Sequence, residues 1–291
     1  MACSAAVMQE AYSYCEDLVR EADKDRFLAS LFAPPDRRRH LFALYAFNIE
    51  ISRVREASHN VLPGEMRLQW WRDTLSGRGF GAVESNPVAT ALLDTLVRYG
   101  LPATPLLGLM EARSFDLYDE PMPTLADFEF YAFWTSSALI EMASSILLGG
   151  KSPSSVDPAR HAGMAYAIVA LLRALPLHAA RGQLYLPLDM LERHGVARED
   201  ILTGQATPQL RAALAEMRVL ARRHLVALNE RVGDISPAAA PAFIPIALVP
   251  LLLERMDRHR YDPFKPIELS QWRRQWAMWR ATWGGILAFR N

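Results

Sequence analysis

The sequence predicts an all-α protein, a single-domain helical bundle over residues 1–291. Three observations predict it. Five capping residues each precede a proline: Asn86-Pro87, Thr104-Pro105, Asp157-Pro158, Thr207-Pro208 and Ser236-Pro237. A capping side chain followed by proline in the first turn is a helix start. Second, Leu210, Leu214, Met217, Ala221, His224 and Leu228 fall on one stripe at helical spacing. Third, alternating patterns bounded by turn dipeptides are nearly absent, so strands are not expected.

The elements follow in order. The opening MACSAAVMQEAYSYCEDLVREADKDR turns acidic within ten residues. It lacks the basic, apolar and small-residue order of a secretory signal and the Arg-rich character of a transit peptide. Helices begin at Asn86, Thr104, Asp157 and Thr207, and Thr124 with Asp127 forms a capping-box-like start. Stretches 149–158 and 200–208 read as loops between helices. About ten helices are expected in all. Residues 130–150, with Glu141 as their one charge, and the uncharged 235–253 approach the length of a membrane span. Pro237, Pro241, Pro245 and Pro250 interrupt the latter, and both read as buried helices of a soluble bundle. Near the C-terminus Trp272, Trp276, Trp279 and Trp283 share one face of an amphipathic helix over about 268–289, with Arg273, Arg274 and Arg280 off that stripe. Such a helix either docks on the core, the expectation preferred here, or lies in a membrane interface.

Composition narrows the function. The chain has 291 residues, 51% hydrophobic and 22% charged, with 32 basic and 32 acidic side chains and no net charge. This is globular composition with enough chain for a sizeable core. A neutral total argues against general nucleic-acid binding. Two cysteines, Cys3 and Cys15, are not expected to make a disulfide framework or a four-ligand zinc site and fit a reducing, cytoplasmic compartment. His178, His194, His224 and His259 lack metal-ligand spacing. Residues 72–81, RDTLSGRGFG, carry no Walker or dinucleotide pattern, and no nucleophile elbow occurs.

Two segments carry more information: LFALYAFNIEISRVREASHNVLPGEMRLQWWRDTL over 41–75, and GMAYAIVALLRALPLHAARGQLYLPLDML over 163–191. With FLASLFAPPDRRRHLFALYAF, PVATALLDTLVRYGLP, RGQLYLP and ALVPLLLERMDRHRYDPF, they make the chain resemble the squalene/phytoene synthase family of head-to-head prenyl transferases nearly end to end. The resemblance implies an isoprenoid-synthase fold around a central cavity. It also implies two acidic helix motifs, DDxxD and RDxxED, whose carboxylates share a helical face and hold magnesium against a substrate diphosphate. Here the first motif aligns with Ser52, Arg53, Val54, Arg55 and Glu56. The second aligns with Arg173, Ala174, Leu175, Pro176, Leu177 and His178. Of the pattern's carboxylates, Glu56 alone has a counterpart, and two arginines with one glutamate make the first site net positive. One glutamate beside two arginines is a poor magnesium site. Pro176 is expected to kink its helix.

No catalytic residue, metal site or cofactor is therefore expected. Mg2+ belongs to the alternative in which the chain is an active prenyl transferase on farnesyl or geranylgeranyl diphosphate. Other positions match the family: Lys24, Tyr45, Asp116, Arg173, Arg181 and Tyr185, whose implied roles are diphosphate contact and cavity lining. For Tyr45 and Tyr185 the competing assignment is plain core, and for Lys24 and Arg181 a solvated surface. For Arg173 it is a buried ion pair. Arg53, Arg55 and Arg173 are candidates to bind an anionic head group without metal.

FNIEISRVREA, MRLQWWRD and LLRALPLHAARGQLYLP are similar to a narrower, non-catalytic branch of the family, which contains an assembly factor of respiratory complex I. That resemblance implies a pseudoenzyme. Its expected partners are complex I subunits or assembly intermediates, with an isoprenoid or anionic lipid as ligand. Its expected place is the cytoplasm or, peripherally, the inner face of the respiratory membrane. A non-catalytic isoprenoid-diphosphate or lipid binder is a further alternative.

Overall fold

Fourteen α-helices account for most of the chain in a computed structural model that describes residues 5–56, 61–79, 83–118 and 120–283. They are α1 (Ala5–Ala22), α2 (Lys24–Ser30), α3 (Pro35–Ser52), α4 (Val61–Leu75), α5 (Pro87–Tyr99), α6 (Thr104–Ser114), α7 (Leu125–Ala132), α8 (Ala138–Leu147), α9 (Asp157–Ala180), α10 (Leu188–Arg193), α11 (Arg198–Leu202), α12 (Pro208–Glu230), α13 (Leu248–Met256) and α14 (Gln271–Trp283). No strand occurs among the described residues. The excess over about ten comes from short helices such as α2, α10 and α11, of seven, six and five residues, too short for a periodic stripe to register. Contacts gather the chain into two compact units, one of residues 1–118, 139–154 and 235–245, the other of 119–138, 155–234 and 246–291.

In the first unit α3 is the core helix. Every side chain from His40 to Ile49 is buried. Such a helix shows no polar stripe, because α1 and α5 pack against it and leave it no solvent face. Phe47 of α3 meets the fully buried Trp71 of α4 edge-on at 4.9 Å, and Glu50 pairs with Arg67 of α4 at 3.3 Å. The segments FNIEIS and MRLQWWRD are thus physical neighbours. Burial pushes the nearby Cys15 thiol up to about 12, with the Glu50 charge adding to it, so this cysteine is not a nucleophile. Cys3 lies outside the described residues.

A buried polar network ties α1, α3 and α5 together. The Tyr12 hydroxyl donates to Asp94 Oδ2 at 2.6 Å, and Thr95 Oγ1 donates to the Ala91 carbonyl at 2.8 Å. Both hydroxyl protons are then committed. His40 Nδ1, 2.9 Å from both oxygens, must carry the proton, leaving Nε2 to accept from Arg39. A second ring proton would desolvate a charge and face the Arg39 donor. Burial, with Arg39 adding to it, accordingly drops His40 to about 4.

In the second unit α9 and α12 form the main pair, with α7 and the π-turn Phe133–Ser137 also against α9. Gly163 makes that approach possible, because a Cβ there would overlap the backbone of Ser137. Ser137 also donates from its hydroxyl to the Arg160 carbonyl at 3.0 Å. Gly163→Val is expected to cost about 3 kcal/mol through overpacking against a backbone that cannot rotate away. A variant whose thermal unfolding midpoint matches the native chain would contradict this close approach. Between the same helices His161 and His224 face each other, Nδ1 to Nδ1 at 3.0 Å. Burial lowers both, His224 to about 4, so at neutral pH the pair shares a hydrogen bond without charge.

Several sequence expectations change in detail. Asn86 and Thr207 cap their helices as expected, accepting from Ala89 N and Leu210 N. Thr124 and Asp127 make a full reciprocal capping box. Thr104 and Asp157 instead lie inside their helices as first residues, after Ala103 and Val156, neither of which caps with a side chain. The stretch 200–208 is partly helical, through α11. The stretch 130–150 is helical without a break as far as Leu147, whereas 235–253 is not one helix. The first passes through the π-turn, and the second through 3-10 turns at Pro237–Ala242 and Ile244–Ala247 before α13. Pro241 and Pro245 remove the donors an α-helix there would need. Among the described residues one helix, α9, is long and apolar enough to cross a membrane, and more than half of its apolar stretch is buried inside the protein.

Candidate functional site

In the first unit the candidate residues cluster where α3 ends. Ser52 is the last helical residue, and its hydroxyl donates back to the Ile49 carbonyl at 2.9 Å. Arg53 leaves helical geometry at φ −97° and ψ 3°, and the Val54 amide takes a tighter bond to Ile51 at 3.2 Å. Residues 53–56 are therefore turn. The expectation that positions four apart share a helical face fails for Ser52 and Glu56, because the helix stops between them. Arg53 and Glu56 are exposed, while Val54 is buried against the face of α4 at Gly64. Arginines suit this position on simple grounds, since a helix C-terminus carries partial negative charge.

Arg55 is drawn inward. Its Nη1 donates to the carbonyls of Asp116 and Tyr118 at 3.0 and 3.4 Å. The Asp116 carboxylate meets Arg113 at 2.9 Å, and the hydroxyl of Tyr118 donates to Glu65. Arg55 and Asp116 thus belong to one cluster, in which the acid is matched by its own Arg113. The sequence reading missed Arg113, although its spacing of three from Asp116 was a signal. Tyr45 is buried under the Arg26 guanidinium, 5.4 Å from the ring centroid, and Arg26 pairs with Asp23 at 2.8 Å. Lys24 is exposed at the first residue of α2, the solvated alternative. Asn48 Oδ1, one turn before Ser52, and Trp71 Nε1 are buried polar atoms without a protein partner.

In the second unit the candidates lie on the last turns of α9. The helix continues through Pro176 to Ala180, so the proline does not end it. It stops in a Schellman arrangement: Gln183 N reaches the His178 carbonyl at 2.9 Å and Gly182 N the Ala179 carbonyl at 3.0 Å. Gly182, at φ 72°, supplies the left-handed residue this turn requires. The reversal lays the buried Tyr185 ring against His178, 4.4 Å between centroids, with Tyr131 on its other side at 5.6 Å. Gln183 donates to the Tyr185 hydroxyl at 3.3 Å. Arg181 is the exposed cap residue, and Leu177 is also exposed. Arg173 is half-buried, and among the described residues no carboxylate lies within 4.0 Å of it.

The magnesium that the resemblance implies does not fit the residues at these positions. Near α3 the donor set is one exposed glutamate, two cationic arginines and a serine committed to its own backbone. On α9 it is an alanine without a donor and a histidine packed on Tyr185. Magnesium takes hard oxygen ligands in strict octahedral geometry. Among the described residues no three His, Cys, Asp or Glu side chains are grouped to hold a metal ion. The arginines are suited instead to anion contact, by charge and by fork geometry.

Comparison with known proteins bears on the same residues. A sequence profile of squalene/phytoene synthase matches residues 19–280. The rat NADH dehydrogenase (ubiquinone) complex I assembly factor 6 is 30% identical over 265 residues, covering 91% of this chain and 79% of that protein. Chloroplastic phytoene synthase 1 of Arabidopsis thaliana is 26% identical over 274 residues, covering 90% of this chain and 63% of that one. A dehydrosqualene synthase crystal structure superposes with a TM-score of 0.79 at 19% identity, over 95% of this chain and 97% of that chain. The last agreement establishes the isoprenoid-synthase fold. The chain belongs to the squalene/phytoene synthase family.

Proposed function

We propose that this protein supports the assembly of respiratory complex I as a pseudoenzyme that does not run the family's magnesium-dependent condensation. The observation that carries the proposal is the coincidence of two departures. The position where family enzymes hold one acidic motif is a helix end with two arginines, and the other is an apolar turn of α9 with Ala174 and His178. The similarity to assembly factor 6 over most of both chains supports the partner class: complex I subunits or their assembly intermediates. In this reading the work is done at the inner face of the respiratory membrane, and no metal cofactor is used.

A second reading, an active head-to-head prenyl transferase, draws on the similarity to phytoene synthase 1. The donor set at both motif positions opposes it. Affinity-tagged chain expressed in its host is expected to co-migrate with partial complex I assemblies on native gels and to be absent from the mature complex. Migration solely as free protein, with all intermediates present, would count against the assembly role.

A further inference from the structure

The tryptophan stripe of α14 keeps much of its surface exposed. Trp272, Trp276 and Trp279 are 64%, 48% and 39% exposed, whereas Met278 on the opposite side is 1% exposed and Ala277 and Ala281 are half-buried. The helix docks onto α13, and Met278 is its buried side, so it seats on its neighbour without burying the tryptophan face. The exposed indoles are not scattered. Trp272 and Trp276 rings lie 6.2 Å apart, and Trp276 stacks on Trp279 at 5.1 Å and 26°. Leaving Trp272 and Trp276 about half exposed or more forgoes burial that ordinarily places tryptophan inside. A contiguous aromatic face of this kind marks an interaction surface.

Charge identifies the occupant. From Gln271 to Trp283 the helix carries Arg273, Arg274 and Arg280 and no acidic residue. At 3.6 residues per turn, Arg273 and Arg280 fall together at roughly 80° from the centre of the stripe, along one flank. Both are exposed. Indoles below and guanidinium groups beside them is the arrangement an interfacial helix uses. The rings enter the boundary between headgroups and acyl chains, and the arginines reach back to phosphates. A described helix with indoles along one face and arginines on its flank suits lying in the plane of the bilayer. A second copy of the same face would bring arginine flanks together with no acid between them, so self-pairing is disfavoured by charge.

We infer that the Trp272–Trp276–Trp279 face of α14 is a docking surface for a phospholipid bilayer with anionic headgroups. The inference does not need the assembly reading, since vesicle binding by purified protein involves no respiratory complex. The test is flotation of the full chain with phosphatidylcholine vesicles, with and without about one-third phosphatidylglycerol. The chain is expected to float with the phosphatidylglycerol vesicles, less so as salt is raised. Trp272→Gln with Trp276→Gln is expected to lower the bound fraction at least about fivefold at an unchanged melting temperature. Arg273→Gln with Arg280→Gln is expected to abolish the preference for phosphatidylglycerol. Native chain that stays with the soluble fraction, or a tryptophan double variant that floats equally well, would overturn the inference. So would concentration-dependent self-association, lost in the tryptophan variant, in place of vesicle binding. Binding solely to an acidic protein partner and to neither vesicle would overturn it too.

Discussion

Purified chain given farnesyl or geranylgeranyl diphosphate with magnesium is expected to release diphosphate about three orders of magnitude more slowly than a family synthase assayed beside it. The size of the deficit follows from what the metal does. Ionising an allylic diphosphate places growing negative charge on the leaving group, and bound divalent cations neutralise it for several kcal/mol. Each 1.36 kcal/mol of that stabilisation is tenfold in rate. In this chain Glu56 is exposed on a turn beside Arg53 and Arg55, and Ala174 and His178 offer no carboxylate on α9. Arginines can neutralise a resting diphosphate, yet they supply no Lewis acid that strengthens as the bond breaks. The chain is thus expected to bind such an anion better than it turns it over. Diphosphate release at the rate of the control synthase would show that carboxylates elsewhere assemble a metal site and would remove the basis for calling this a pseudoenzyme.

The helical fold was legible because its signals are local. Asn86 and Thr207 cap where their side chains predict, and the 210–228 stripe buries the face it marks. Thr104 and Asp157 are first helical residues and not caps, because a proline near a helix start allows the preceding residue to be either. The prolines of 235–253 argued correctly against a membrane span but not for 3-10 turns, which depend on how neighbouring helices bury the segment.

The candidate residues divide along a similar line. The absence of acids at two motif positions was visible from the residues alone. What the retained residues touch was not, because it is set by long-range packing. Arg55 spends hydrogen bonds on the carbonyls of Asp116 and Tyr118, sixty-one and sixty-three residues away in sequence. His178 meets Tyr185 through the Gly182 reversal, a local event whose glycine was in plain sight. The tryptophan stripe is legible in its period, but period says which side chains share a face and not which way that face points. Burial of Met278 settles the direction.

The proposed part of this chain in building a respiratory enzyme is tested most directly by its loss from the host. Assembly factors act before the product exists, so removal starves the cell of mature complex while other quinone-linked dehydrogenases continue. In a deletion strain, native gels and membrane assays are expected to show assembled complex I and NADH:quinone activity reduced at least about fivefold, a deficit worth about 1 kcal/mol if read as an equilibrium. Succinate oxidation should be unchanged, and the native chain supplied in trans should restore the complex. The Glu56→Gln chain should restore it equally, since no metal-bound carboxylate is part of the proposed role. A deletion strain with a normal level of complex I and normal NADH:quinone activity would contradict the account.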